Sequence, residues 1–121
     1  MALTEFSLSV ISTIKKVPKG KMATYGQIAA LAGKPHGARG VSWILHSCTK
    51  SHGLPWFRVL GAGGKISMPR DSRGFDQQKK KLENEGVEFL TEITVNMKSH
   101  QWKKFAKKEK LPGKAYGFAG S

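Results

Sequence analysis

Thr24-Tyr25-Gly26-Gln27-Ile28-Ala29-Ala30-Leu31-Ala32-Gly33-Lys34-Pro35-His36-Gly37-Ala38-Arg39-Gly40-Val41-Ser42-Trp43-Ile44-Leu45-His46-Ser47 carries two helix signals in close succession. Thr24 and Gln27 have the spacing of a capping box, in which each side chain satisfies a free backbone N–H of the first turn. A short helix from about Tyr25 to Ala32 follows, with Ile28, Ala29 and Leu31 to bury. Gly33 suits the position just past its end, and Pro35 stops any continuation. A second helix runs from about Gly37 to Ser47. Ala38, Val41 and Leu45 share one face with Ile44 beside them, and Arg39, Ser42, Trp43 and His46 take the other. Two short helices across a glycine-bearing turn make a helix-turn-helix pattern. Helical hairpins also build ordinary all-α cores, so the pattern alone does not specify a nucleic-acid reader.

The charge balance adds to it. The chain has 121 residues, with 21 Lys plus Arg against 8 Asp plus Glu, a formal net charge of +13. So basic a chain suits a polyanionic partner such as DNA, RNA or an acidic membrane surface. The length allows one domain with a modest core and a tail. No apolar run approaches a bilayer span, which excludes a transmembrane helix, and the first residues lack the pattern of a signal peptide. The single cysteine, Cys48, cannot form an internal disulfide, which fits an intracellular setting. Histidines 36, 46, 52 and 100 have no partners at metal-binding spacing, so neither a metal nor a cofactor is expected.

Before the helix pair, Thr4 can cap a helix whose Phe6, Val10, Ile14 and Val17 recur at helical spacing, with Leu8 and Ile11 widening the stripe. Pro18-Lys19-Gly20-Lys21 stops it. After the pair, Cys48 to Leu54 reads as a polar loop and Pro55-Trp56-Phe57-Arg58-Val59 opens an apolar run, the entry to a buried strand. Gly61 to Gly64 reads as a turn, across which Lys65-Ile66-Ser67 pairs back as a small hairpin or wing. Phe75 to Glu85 has a helical pattern ending at Gly86, with Lys79-Lys80-Lys81 on a solvated face. Val87 to Met97 alternates loosely, as a strand does. From Lys98 the chain turns basic, and Trp102 and Phe105 can anchor one helical turn. Beyond Leu111 the Pro, Gly and Ala content is that of a disordered end. Such a tail either follows phosphates without sequence preference or only solubilises.

Several segments together resemble one family. Pro18-x-Gly20-Lys21, Thr24-Tyr25-Gly26-x-Ile28-Ala29, Ala38-Arg39-x-Val41, Pro55-Trp56-x-Arg58-Val59 and Glu85-Gly86-Val87 occur in the order found in the DNA-binding domain of O6-alkylguanine-DNA alkyltransferases. In that family a Pro-Cys-His-Arg-Val sequence holds the cysteine that accepts the alkyl group. This chain has Trp56 at the cysteine position and Phe57 at the histidine position, and a Pro-Trp here resembles the alkyltransferase-like proteins, non-enzymatic relatives that bind alkylated guanine without repairing it. The resemblance covers roughly Phe6 to Phe89. It implies a mainly α, winged helix-turn-helix-like domain with a short β hairpin, over residues 1–95, followed by a basic, partly disordered extension over 96–121.

Chemistry points the same way. Dealkylation needs a thiolate. Trp56 has no nucleophilic lone pair, Phe57 cannot accept a proton, and Glu85, which matches the glutamate that steadies the family's histidine, is left as a surface carboxylate. Cys48 falls where the resemblance puts a hinge asparagine, with no base beside it in sequence, and reads as an incidental thiol. No catalytic residue is therefore expected.

Reaching a lesion inside a duplex requires taking the nucleotide out of the stack. By resemblance Arg39 fills the vacated gap from the minor groove, Tyr25 crowds the flanking phosphate, and Trp56 and Val59 face the base. Ser72 matches a serine near the alkylated oxygen, and Arg70 and Arg73 reach the lesion or a phosphate. Ser42 is expected to contact DNA from the same helix as Arg39. Ala38 and Gly40 are small, so the backbone can approach the groove. Arg58 is expected to hold neighbouring backbone, and Trp43, unusual on a groove-facing helix, to rotate into the core edge.

The resulting expectation is a monomeric binder of double-stranded DNA containing O6-alkylguanine, which flips the nucleotide and marks it for nucleotide excision repair proteins. It would work in the cytoplasm, nucleoid-associated if bacterial, or in the nucleus if eukaryotic. The alternatives are a helix-turn-helix transcription regulator, an active alkyltransferase using Cys48, and a general basic coat for DNA.

Overall fold

The computed structural model describes residues 4–105. It runs α1 (Glu5–Lys15), β1 (Ala23–Thr24), α2 (Tyr25–Leu31), α3 (Ala38–His52), a 3-10 turn (Trp56–Arg58), β2 (Val59–Leu60), a second 3-10 turn (Ala62–Gly64), α4 (Arg73–Asn84) and α5 (Met97–His100). The architecture is mainly helical, as expected, with a two-stranded sheet at its centre.

Helices α1, α2 and α4 each start at a side-chain cap, whereas α3 starts at Gly37 without one. Thr4 accepts from Ser7 N–H, Thr24 from Gln27 N–H and Ser72 from Phe75 N–H. The capping box at Thr24 forms by half. Gln27, itself buried, turns its side chain away and donates from Nε2 to the carbonyls of Trp102 at 2.8 Å and Lys104 at 2.7 Å.

Two apolar clusters form the core. Val10, Ile11, Ile14 and Val17 meet Ile28, Ala29, Val41, Ile44 and Cys48, which packs the first three helices together. Met22, Leu60, Ile66, Phe75, Leu82, Val87 and Val95 make the second cluster, under α4. Leu8, expected to widen the α1 stripe, is exposed, and Leu31 is only partly buried. The close packing of α1 on α3 depends on small residues. A Cβ added at Gly40 would lie 3.0 Å from the Phe6 ring. Gly40 therefore serves the α1–α3 contact.

Four further expectations change. α3 runs through His52, one and a half turns past Ser47, and ends at Gly53 with φ 61°; the expected loop from Cys48 is largely helix. The apolar run after Pro55 is a 3-10 turn before it becomes β2, which pairs in parallel with β1, Ala23 opposite Val59 and Thr24 opposite Leu60. The hairpin after it shrinks to a single antiparallel bridge between Gly61 and Lys65. Val87–Met97 folds back on itself through a Phe89–Val95 bridge instead of running as a strand.

No break occurs at residue 95. Met22 N–H donates to His100 O at 2.8 Å and Trp102 N–H to Met22 O at 2.7 Å, and Trp102 packs on the first cluster. The domain thus continues through about Trp102, whereas Phe105 stays exposed. The expected disordered end beyond Leu111 lies outside the described residues. Among the described residues no helix is long and apolar enough to cross a membrane.

Candidate nucleic-acid interface

The parallel pairing of β1 with β2 sets the site. It brings Tyr25, first residue of α2, against the segment Trp56–Val59, while the extended α3 passes alongside. Between them lies an open cavity of about 370 Å³, lined by Tyr25, Ser42, Leu45, His46, Thr49, Trp56, Val59, Ser67, Met68 and Gln78. A volume of this size lies within the range of small-ligand sites. Its apolar wall is Trp56, Val59, Leu45 and Met68. Its polar atoms include a hydroxyl pair, Tyr25 Oη and Ser67 Oγ at 3.1 Å.

Of the residues assigned from sequence, Tyr25, Ser42, Trp56 and Val59 come together in this wall. Arg39 stands outside it on the exposed face of α3. Trp43 also faces outward, 56% exposed. It does not turn into the core edge, because Val41, Ile44 and Cys48 already fill the inner face of α3. Ser72 is absent from the lining: its hydroxyl donates to Pro69 O at 2.7 Å and accepts from Phe75 N–H, so it is spent on capping α4. Arg70 pairs with Glu92 on the surface, and Arg73 opens α4, exposed.

Leu45, His46, Thr49, Ser67, Met68 and Gln78 are wall residues that sequence reasoning did not place there. Residues 42, 45, 46 and 49 lie at i, i+3, i+4 and i+7 on one helix, a signal hidden by ending α3 early. Gln78 stands between Phe75 and Leu82 on the buried face of α4, and a glutamine in an apolar slot was the available sign.

Behind the cavity the chain is closed by charge. Arg58 and Glu85, with side chains 17% and 10% exposed, pair at 2.6 Å, with Arg58 Nε also 3.1 and 3.2 Å from the two carboxylate oxygens. Arg58 donates to Val17 O at 2.9 Å, and Gly20 N–H to Glu85 Oε1 at 2.9 Å. Arg58 thus does hold neighbouring backbone. Glu85 is not a solvated carboxylate without a partner, as its sequence position suggested. Burial pushes its carboxyl up, but the Arg58 hydrogen bonds, the Gly20 N–H and the charges of Arg58 and Lys19 outweigh burial and hold it below the ordinary glutamate value.

Phe57 lies between two cations, with the Arg58 guanidinium 5.2 Å and the Lys81 ammonium 5.5 Å from its ring centre. A neutral ring attracts both, and a protonated imidazole there would be repelled by both. The Lys79–Lys81 run is accordingly not just a solvated face. Lys79 lies 4.9 Å from the Phe89 ring and donates to Glu92 O at 2.7 Å. Cys48, the chain's one cysteine, is buried in the first cluster, 7% exposed, and is not part of the cavity wall.

These features, a helix-turn-helix with a cavity at its side and a Pro-Trp segment as one wall, define a class. The family model for the DNA-binding domain of 6-O-methylguanine DNA methyltransferase matches residues 5–87, and the chain belongs to that family. Within the family it is 39% identical over 100 residues to the DNA base-flipping protein of Vibrio parahaemolyticus, a match that covers 83% of this chain and 98% of that one. It is 36% identical over 107 residues to Alkyltransferase-like protein 1 of Schizosaccharomyces pombe, covering 85% and 99%. The crystal structure of that yeast protein with damaged DNA containing O6-carboxymethylguanine superposes with a TM-score of 0.74 at 35% identity, over 86% of this chain and 100% of that one. The O6-methylguanine methyltransferase of Mycobacterium tuberculosis is more distant, with a TM-score of 0.55 at 28% identity, over 69% of this chain and 50% of that one.

Proposed function

We propose that this protein reads O6-alkylguanine in duplex DNA without repairing it. It turns the damaged nucleotide out of the stack into the cavity beside Trp56, and the complex marks the site for nucleotide excision repair. The observation that carries this reading is the composition of the cavity wall. Trp56, which the family resemblance puts at the alkyl-acceptor position, lines the cavity, and the chain's one thiol is packed in the core.

Turning a nucleotide out costs a few kcal/mol, less where alkylation has weakened its pairing, so damage is favoured before any contact with the wall. Arg39, exposed on α3, occupies the space left in the stack. Tyr25 presses on the flanking phosphate. Ser42 follows the groove on the same helix, and Arg70 and Arg73 approach phosphates from the α4 side, Arg70 after leaving Glu92. Trp56 offers an apolar face to the alkyl group. One copy suffices for one lesion, so the acting species is a monomer, in whichever compartment holds the DNA. The relatives named for base flipping and for alkyltransferase likeness support this reading, and the family resemblance supports the handover to excision repair.

A labelled duplex, with and without O6-methylguanine, is titrated at two salt concentrations and the protein is then weighed. The expected result is tighter binding to the damaged duplex at both salts and no change in protein mass. Equal affinity for the two duplexes sinks the proposal. A gain in the mass of a methyl group would reveal transfer to Cys48. Affinity that collapses with salt and ignores the lesion would reveal a general DNA coat.

A further inference from the structure

A segment near a chain end is ordered only where something ties it down, and the stretch from Lys98 to Lys104 is tied down repeatedly. Met22 N–H donates to His100 O at 2.8 Å, and Trp102 N–H to Met22 O at 2.7 Å. Lys21 Nζ donates to Ser99 O at 3.4 Å. The buried Gln27 donates from Nε2 to Trp102 O at 2.8 Å and to Lys104 O at 2.7 Å. Glu88 N–H lies 3.0 Å from His100 Nε2, which therefore accepts. The ring proton is then on Nδ1, which donates to Gly20 O at 3.1 Å. These contacts lay the stretch beside residues 19–22 and gather lysines on one surface. Lys19 and Lys21 flank Gly20, Lys98 precedes Ser99, and Lys103 and Lys104 follow Trp102; all of them are exposed.

The ion pairs among the described residues are Arg58–Glu85 and Arg70–Glu92, so none of these lysines is paired there. The nearby carboxylates are already engaged, Glu85 by Arg58 and Gly20 and Glu88 by Asn96 Nδ2 at 3.0 Å. Like charges gathered on a fixed backbone repel one another, a cost that an anionic partner removes. None of the lysines lines the cavity or lies on α3. Their place relative to Tyr25 says which anion they meet. Lys21 stands before β1 and Tyr25 just after it, about 13 Å apart in extended chain. On the other side of Tyr25, Gln27 holds the carbonyl of Lys104. We infer that Lys19, Lys21, Lys98, Lys103 and Lys104 form a second phosphate-binding surface. Phosphates of one strand recur about every 3.4 Å along the axis, so the surface grips the lesion-bearing duplex about four nucleotides beyond the phosphate at Tyr25. The inference rests on the placement of Tyr25 in the function proposed above. Its lysines hold the duplex whatever the base, and Gln27 is the positioning residue that fixes Lys103 and Lys104.

The test compares the full chain with a variant in which Lys19, Lys21, Lys98, Lys103 and Lys104 are all changed to Gln. A milder variant, Lys103→Gln with Lys104→Gln, leaves Lys21 on Ser99, and thermal melting reports whether each folds. Binding to a duplex with one O6-methylguanine is measured at several salt concentrations. It is measured again on duplexes in which single phosphates are replaced in turn by uncharged methylphosphonates. In the wild type a run of phosphates about four nucleotides beyond the one at Tyr25 is expected to be sensitive to replacement. In the five-lysine variant those replacements change nothing, affinity is about tenfold lower, and the slope of log affinity against log salt is shallower by about 2. The milder variant loses part of each effect. Weaker binding with the same map of sensitive phosphates is a bulk-charge effect and overturns the inference, as does an unchanged salt slope. Two duplexes bound per wild-type protein would give the surface to a second duplex and overturn it as well. Preference for the damaged duplex stays within about twofold of wild type in both variants, because phosphates carry no base information; a loss of that preference overturns the inference too. Equal wild-type affinity for damaged and undamaged duplexes is a different failure. It removes the lesion-reading function, and the salt slope still decides whether the lysines hold phosphates.

Discussion

The segment Pro55–Val59 has two sides, and they are built in opposite ways. On the inner side Arg58 is locked to Glu85 and to the carbonyl of Val17, Gly20 closes on the same carboxylate, and Phe57 sits between two cations. Little there is open to a ligand. On the outer side Trp56 and Val59 face a cavity whose rim is hydroxyls, an imidazole and the exposed face of α3. The family resemblance puts a proton relay along the inner side. Here that region is scaffold, and its glutamate holds a helix end to a loop. On the proposed reading the outer side carries recognition, so stability and binding are expected to fall on different residues of the same short segment.

Breaking the inner side should produce the largest effect on stability. Arg58→Ala strands a mostly buried carboxylate, and Glu85→Ala strands the guanidinium; each is expected to cost about 3 kcal/mol, read by thermal or urea denaturation. A cost under about 1 kcal/mol would place the pair among ordinary surface bridges. The sign of the pH dependence follows from the lowered carboxyl of Glu85. Its contribution is fully present above the unfolded value of about 4.3 and is lost as pH falls through the lower folded value. Glu85→Gln should flatten that part of the acid limb, and an unchanged limb would show that other carboxylates dominate it.

Breaking the outer side should leave stability alone. Arg39 is exposed and away from the core, so Arg39→Ala is expected to change stability by no more than about 0.5 kcal/mol. Its effect belongs to the damaged duplex, with affinity about tenfold weaker or more and base extrusion, followed by a fluorescent base analogue, lost in parallel. Extrusion that survives the substitution would remove Arg39 from the vacated stack.

How far this division could be read in advance depended on the range of the interactions. The α1 stripe apart from Leu8, the caps Thr4 and Thr24 and the outward face of α3 apart from the expected turn of Trp43 are local patterns, and they stand as read. Partnerships made across the chain were not legible. Nothing near Glu85 in sequence announces Arg58, and nothing near Gln27 announces the carbonyl of Trp102; both contacts depend on the folded path. Thr49 and Gln78 escaped for a different reason. A polar residue in a buried helical slot looks like a flaw in the pattern until the cavity it faces is known. The boundary at residue 95 failed because composition marks where charge rises, while the backbone pairing of Met22 with His100 and Trp102 marks where packing ends.

The comparison can also be sharpened by placing a thiol at the position that the family resemblance gives to the alkyl acceptor. Trp56→Cys puts a thiol in the cavity wall but no base to activate it. Phe57 accepts no proton, and Glu85 is already committed to Arg58. Incubation with O6-methylguanine duplex, followed by mass spectrometry, should show no appreciable methyl transfer. Efficient transfer by this single variant would mean that a thiol alone suffices here.

Trp43 should give the smallest effect. It lies one helical turn beyond Arg39 on the exposed face of α3, with 56% of its surface in water. A large aromatic there gains nothing from the core, so Trp43→Ala should leave the melting temperature unchanged. On the proposed reading it offers an apolar plate to sugars in the groove, a contact indifferent to the base. Affinity is therefore expected to drop about threefold, and equally for damaged and undamaged duplexes, in contrast to the lesion-weighted loss at Arg39. A loss confined to the damaged duplex would place Trp43 with Arg39 in the extrusion step, and the division between holding DNA and emptying the stack would then run along α3 differently.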